Sequence, residues 1–346
     1  MKIINMTEGR QVNRNILSLD WKPEETSLGE YEHFTMKEIC EQPKVLYNQP
    51  QVTELVGLIR QADKIVLTAC GSSYYACLQG YYHLSKAGKT CIPIIASEFS
   101  TISSIIDSKT LILTISQSGE TADTIEAINI ANTKVASILN NTHSSISRLS
   151  DACIPMNAGP EIGVAATKTY TSSVNILIRA AKEMQNQPQE SKENMAKNTE
   201  RAIYDNMEKA KKVAEYIQDS VFIIGKESAY YTALEGALKI KELAYVFAEG
   251  FAGGELKHGS IALIDKGTPV IVIESPGILS NAQELKARGA YIIGIGTNNN
   301  AVYDEFLQVP ESTEIIPLQL IAYYLSVRKG NNPDKPRNLA KSVTVK

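Results

Sequence analysis

Several things are scarce in this sequence, and each scarcity narrows the field. There is no excess of positive charge: 35 lysines and arginines face 38 aspartates and glutamates, for a net charge of -3. The basic footprint of a nucleic-acid binder is therefore missing. No apolar run approaches the ~18–20 residues needed to cross a bilayer, and Met1-Lys2-Ile3-Ile4-Asn5 has no signal-peptide core. A soluble, cytoplasmic protein is expected, with neither membrane nor nucleic acid as partner. Cysteine is sparse and odd in number, at positions 40, 70, 77, 91 and 153, with no Cys-x-x-Cys pair. That excludes a disulfide frame and a zinc site and leaves reduced, mostly core thiols; no metal or other cofactor is called for. Histidine occurs only four times, so each one carries weight as a candidate proton shuttle.

The length of 346 residues suits two domains, at roughly 100–200 residues each. Residues 1–30 read as two short strands around a turn followed by a linker, with nothing of their own to pack on, and residues 31–42 read as a helix. From residue 64 onward short apolar runs alternate with helical stretches. Strands are expected at 65–69, 91–96, 110–115, 135–139 and 152–156, then at 221–225, 269–273, 290–295 and 307–309. Alternation at this spacing means βαβ units, and hence parallel α/β sheets covered by helices on both faces. The charged stretch 182–218 reads as a helical, solvated connector. The segment 331–346 reads as irregular, because Pro333 and Pro336 prevent a continuous helix.

One turn stands out. An apolar β-branched run ends in Ser116-Gln117-Ser118-Gly119-Glu120-Thr121, and a helix follows. A strand feeding a polar turn and then a helix N-terminus presents unpaired N–H groups and a positive dipole end, and both attract an anion. The loop contains no lysine and lacks the Gly-x4-Gly-Lys-Ser/Thr spacing, which excludes a nucleotide-triphosphate loop. A neutral hydroxyl cradle fits the monophosphate of a small molecule; an ordinary capped helix start is the other reading. Ligands of such sheets sit beyond the C-terminal strand ends, where Gly71-Ser72-Ser73 also lies.

The chain repeats itself. Tyr74-Tyr75-Ala76-Cys77-Leu78-Gln79-Gly80 is answered 156 positions later by Tyr230-Tyr231-Thr232-Ala233-Leu234-Glu235-Gly236, each copy following a strand and a small-residue turn. Opposite Ser116-Gln117-Ser118 the second copy has Ile273-Glu274-Ser275, so the hydroxyl cradle belongs to the first copy alone.

The second copy carries different chemistry. Glu235, Lys239 and Glu242 stand at i, i+4 and i+7, on one face of a helix over 233–246. A solvated salt-bridge stripe has the same spacing. However, Ala233, Leu234, Ala237, Leu238, Ile240, Leu243 and Ala244 cover most of the circumference, which favours a stripe facing a cleft. His258 is the only histidine in a Gly-flanked loop. In Arg337-Asn338-Leu339-Ala340-Lys341-Ser342-Val343-Thr344-Val345, an apolar tail that anchors would partly desolvate Lys341 and favour its neutral, nucleophilic amine. A phosphate cradle, an acid–base carboxylate, a histidine and a Schiff-base lysine together suit aldose–ketose isomerisation of a sugar phosphate.

These motifs, together with Ala158-Gly159-Pro160-Glu161-Ile162-Gly163-Val164-Ala165 and Gly254-Glu255-Leu256-Lys257-His258-Gly259, closely resemble the isomerase half of the glutamine–fructose-6-phosphate aminotransferases, with five motifs in the same order along essentially the whole chain. The resemblance implies two sugar-isomerase (SIS) domains, each a three-layer αβα sandwich on a parallel sheet. In this reading residues 1–45 are a glutaminase-hairpin remnant, linker and first helix. Residues 46–190 are the phosphate-binding domain, 191–330 the domain with the acid–base helix and the histidine loop, and 331–346 a tail with the Schiff-base lysine. It further implies that Ser73, Ser116, Gln117, Ser118 and Thr121 hold a 6-phosphate, that Ser72 also binds the substrate, and that Glu161 and the backbone from Val164 to Ala166 line the sugar. Lys341 would form the imine, and Glu242 would move the proton between C1 and C2 with Glu235 and Lys239 assisting. His258 would open the ring from the neighbouring subunit of a homodimer. The substrate would be fructose 6-phosphate and the product glucosamine 6-phosphate, with ammonia either free or supplied by a separate glutaminase subunit, since Met1 is followed by Lys2 rather than by a nucleophilic cysteine. Departures from the family pattern are Ser72 for threonine, Ala166 for serine, Phe247 for histidine and Lys346 for a terminal glutamate. A glucosamine-6-phosphate deaminase or ketosamine-phosphate isomerase of the same fold, and a sugar-phosphate-binding module without catalysis, are the alternatives.

Overall fold

The structure, a computed structural model, describes residues 3–4, 11–12 and 26–345. Ile3–Ile4 (β1) pairs antiparallel with Gln11–Val12 (β2); the rest of the strand expected to follow lies outside the described residues. The helix expected at 31–42 begins later and is split. Phe34–Cys40 (α1) stops at Glu41, and Gln42–Tyr47 (α2) restarts with Pro43 in its first turn, where its missing N–H costs nothing. Thr53–Gln61 (α3) follows.

The first sheet contains Lys64–Ala69 (β3), Thr90–Ile95 (β4), Thr110–Ser116 (β5), Lys134–Leu139 (β6) and Ala152–Pro155 (β7), in the order β4-β3-β5-β6-β7 with every pairing parallel. β5, at the centre, is buried along its whole length, as its unbroken run of β-branched and leucine residues requires. The connections carry Gly71–Lys86 (α4), Ala122–Ala131 (α5) and Ser145–Leu149 (α6), and Lys168–Met184 (α7) closes the layer.

The stretch expected to be a solvated connector is not one. Lys192–Tyr204 (α8) and Met207–Tyr216 (α9) are amphipathic and bury Met195, Ala202, Ile203, Ala210, Val213 and Ala214. High overall charge concealed one apolar face per helix.

The second sheet contains Ser220–Gly225 (β8), Phe247–Ala252 (β9), Pro269–Ile273 (β10), Tyr291–Gly296 (β11) and Glu305–Gln308 (β12). Its order, β9-β8-β10-β11-β12, is the same path as in the first sheet, again wholly parallel. Ser228–Ala244 (α10), Leu279–Ala287 (α11) and Ile315–Arg328 (α12) complete it. One core runs through both units, joining Ile65, Ala76 and Leu177 to Ala233, Ile240, Leu318 and Leu325. Each outer layer has a separate cluster. Residues 331–345 carry no helix or strand.

Candidate active site

The hydroxyl-rich turn sits where β5 hands over to α5. Gly119 has φ +67, and a Cβ there would lie 1.9 Å from Ser144 Oγ, so only glycine fits. The Gly119 amide donates to Ser116 Oγ at 2.9 Å and the Glu120 amide to Ser118 Oγ at 3.2 Å. Both serine oxygens thus serve as acceptors inside the turn, and their O–H groups remain to donate outward. Thr121 occupies the N-cap of α5 in extended conformation, but its side chain makes no capping bond and lies 3.4 Å from Ser116 Oγ. The plain helix-cap reading therefore fails for Thr121. Ser72 and Ser73 stand in the first turn of α4, just beyond the end of β3, the strand neighbouring β5, because α4 begins at Gly71 rather than at Tyr74. The corresponding edge of the second sheet has Glu274, whose carboxylate accepts from Thr297 Oγ1 at 2.8 Å and from the Asn298 amide at 3.2 Å. A negative charge built into that edge opposes a phosphate.

α10 presents the carboxylates. Glu235 and Lys239 are fully buried, while the Glu242 side chain is 21 % exposed. Lys239 Nζ donates to Glu242 Oε2 at 2.6 Å and to Ser72 Oγ at 2.9 Å, tying the second domain's helix to the first domain's strand edge. It lies 3.3 Å from Glu235 Oε1 without a hydrogen bond, so neither Glu235 oxygen has a donor among the described residues. Burial, only partly offset by Lys239, pushes the Glu235 carboxyl up to about 7. Burial alone would lower Lys239, yet Glu235 and Glu242 together hold it above the usual lysine range. The stripe is therefore a cleft feature and not a solvated one. Of its two carboxylates only Glu242 is reachable by a ligand.

The tail brings in the third group. Asp334 caps α1 from 300 positions away, accepting from the Phe34 amide at 2.9 Å and the Thr35 amide at 2.8 Å. The Asp334 carbonyl takes the Val164 amide at 3.1 Å. The Arg337 amide donates to Tyr245 Oη at 2.7 Å, and its guanidinium stacks 4.3 Å from that ring. Farther on, Ser342 Oγ donates to Ser118 Oγ at 3.0 Å and the Val343 carbonyl takes the first amide of α5, that of Ala122, at 3.1 Å. The anchoring is thus polar: Leu339, Val343 and Val345 are exposed, contrary to the expectation of an apolar anchor. Between these ties Lys341 Nζ donates to Glu161 Oε2 and to the Gly163 carbonyl, both at 2.7 Å. Glu161 is fully buried and also accepts from the Thr167 and Thr169 amides and from Thr169 Oγ1 at the start of α7. Burial would raise it, but Lys341 and these donors hold its carboxyl below the usual value.

The turn at 116–121, Ser72 with Lys239 and Glu242, and Lys341 with Glu161 thus meet along one edge of the first sheet. Val164 and Ala166 flank the Glu161 turn and are half-buried. His258 stands apart, exposed on the turn Glu255–His258, and no hydrogen bond or ion pair among the described residues joins it to the other groups. Sequence reasoning missed Glu38, which accepts from the Ile162 and Gly163 amides behind that turn, and Asp334. An acidic residue on a short helix and one in a Pro-flanked tail give no local signal.

A model of the SIS domain matches residues 58–180 and 216–329. The glutamine–fructose-6-phosphate aminotransferase [isomerizing] of Pyrococcus horikoshii is 41% identical over 378 residues, spanning 99% of this chain and 63% of that protein. The protein of the same name from Methanothermobacter thermautotrophicus is 41% identical over 98% of this chain and 62% of its own. The chain therefore spans under two thirds of the length of these relatives. Among solved structures, the C-terminal domain of glucosamine-fructose-6-phosphate aminotransferase from Francisella tularensis superposes with a TM-score of 0.77 at 30% identity, covering 90% of this chain and all of that one. Glucosamine-6-phosphate deaminase from Thermotoga maritima, at 23% identity and a TM-score of 0.73, shares the fold.

Proposed function

The chain belongs to the SIS-domain family, and from that membership we propose that it converts D-fructose 6-phosphate and ammonia to D-glucosamine 6-phosphate. The observation that carries the reading is the placement of Lys341, whose ammonium is held by Glu161 and the Gly163 carbonyl while the next residue binds the hydroxyl-rich turn. A phosphate on that turn, received by the hydroxyls of Ser73, Ser116, Ser118 and Thr121 and by Gln117, leaves the other end of a six-carbon sugar to reach the lysine.

In this reading His258 of a neighbouring copy opens the ring. Lys341 gives up a proton, for which Glu161 is the acceptor within reach, and condenses with the C2 carbonyl to expel water. Ammonia displaces the lysine from the imine. Glu242, held toward the cleft by Lys239, takes the proton from C1 and returns it to C2 through an enolamine. Glu235 acts on Glu242 through Lys239 and does not touch the sugar. Ammonia arrives free or from a glutaminase partner, and the working unit is a homodimer. Among the described residues no helix is long and apolar enough to cross a membrane.

The test is direct. Purified protein should interconvert fructose 6-phosphate and glucose 6-phosphate, and make glucosamine 6-phosphate when ammonium is added. Lys341→Ala should lose the amination and all borohydride-trappable imine. Unchanged amination in that variant would overturn the assignment. The deaminase alternative uses the same groups, so initial rates in both directions at equal ammonia distinguish it.

A further inference from the structure

Glu38 is a buried carboxyl that the proposed chemistry does not use. It lies on α1, outside the two stretches matched by the family model, and is only 2 % exposed. Its Oε1 accepts from two successive amides, Ile162 and Gly163, the latter at 3.2 Å, while Oε2 has no partner among the described residues. Those amides belong to the turn whose Glu161 side chain and Gly163 carbonyl hold Lys341 Nζ. The fit leaves no slack: a Cβ on Gly163 would lie 2.9 Å from Glu38 Oε2 and 3.1 Å from Thr35 Oγ1.

We propose that Glu38 is a positioning residue for Lys341, fixing from behind the Ile162–Gly163 turn that presents the lysine amine to the anion-bound ligand. The role rests on the reading of Lys341 as the reacting amine.

The electrostatics agree. The charged groups facing Glu38 are Glu161, Lys341 and Lys168, and burial first, then the charge on Glu161, raise its carboxyl to about 8. Burial and the Glu161 charge both favour the protonated form of Glu38. It can accept from two amides without adding a second negative charge beside Glu161, so Lys341 is balanced by one carboxylate and not two. A neutral acceptor of glutamate length is what the position requires. Glutamine meets that requirement, and aspartate, one methylene shorter, does not reach the amides.

The experiment compares E38Q, E38D and wild type by trace acylation with acetic anhydride across pH, followed by peptide mass spectrometry, with the exposed Lys211 as internal standard. Loss of the two-amide contact frees the turn, so E38D should acylate at Lys341 about five- to tenfold faster at pH 7, with E38Q close to wild type and Lys211 unchanged in both. G163A presses on the same contact from the other side and should reproduce the E38D labelling; it decides the matter if E38D does not fold. In turnover of fructose 6-phosphate, E38D should lose kcat at nearly constant KM, because the phosphate turn is untouched, and E38Q should restore kcat. Wild-type labelling of Lys341 in both E38D and G163A, or equal damage in E38Q and E38D, overturns the proposal. Absence of sugar turnover in wild type would instead sink the functional reading, and the acylation arm would still decide what Glu38 does.

Discussion

Glu235 is an acid enclosed by protein, with a cation 3.3 Å away that spends its hydrogen bonds elsewhere. Its carboxyl stands at about 7 against an ordinary 4.5, chiefly from burial. The folded protein thus keeps this proton to higher pH than the unfolded chain does. The stability gained is fully present below about pH 4.5 and is lost as pH rises through about 7. Glu235→Gln removes the ionisation, so the difference in unfolding free energy between wild type and variant should change across that window. The variant gains relative to wild type by on the order of 2–3 kcal/mol between pH 5 and pH 8. Urea unfolding at both pH values measures it, and a constant difference would show that Glu235 does not titrate there. Because Lys239 also holds Glu242, the same variant should alter the pH profile of kcat more than KM.

At the level of elements, Asp334 does two jobs from a segment without regular structure. It satisfies two orphan amides of α1 through its carboxylate and one amide of the Glu161 turn through its carbonyl. Asp334→Ala should cost about 1–2 kcal/mol, the usual worth of a helix cap. It should also speed proteolysis within 331–345; a melting curve and a limited digest report the two effects separately, and an unchanged digest would mean the tail is held elsewhere. The sequence made most of this architecture legible. Buried parallel strands announce themselves as β-branched runs, and every strand expected from residue 64 onward lies within a residue or two of its place. β9 escaped because Phe247–Ala252 mixes glycine, alanine and glutamate, a pattern without period. α8 and α9 read as solvated in sequence because lysine and glutamate outnumber the few residues that pack. The stripe Glu235–Lys239–Glu242 was legible because helical spacing puts it on one face. Glu38 and the Asp334 cap were not, since contacts across 124 to 300 positions leave no trace in local pattern.

For the molecule as a whole, the two domains repeat one sheet path and share one core, yet only the first edge bears a hydroxyl turn and only the second domain's α10 bears the Glu235–Lys239–Glu242 stripe. Duplication followed by division of labour is the plain reading of that asymmetry. His258 is exposed and away from the cluster, so in the proposed reaction it is a second copy that supplies it. His258→Ala and Lys341→Ala should each be inactive alone under that reading, and a mixture of the two, refolded together, should regain activity. Half the dimers would be mixed and each would hold one intact site, giving about a quarter of the wild-type rate. No recovery from a mixture shown to exchange subunits would place His258 in its own protomer's chemistry, or in none.

The tail's course has a consequence for how the protein is made. Domains emerging during synthesis fold in order from the N-terminus, and residues 334–343 lie beyond both sheets in the chain. The cap on α1, the amine facing Glu161 and the strap over α5 all close contacts across 180 to 300 positions. A nascent chain can therefore finish both sheets, turn and stripe included, and still be chemically silent. In the proposed reaction, turnover waits until residues 334–343 have left the ribosome and joined α1, Glu161 and α5 to one another.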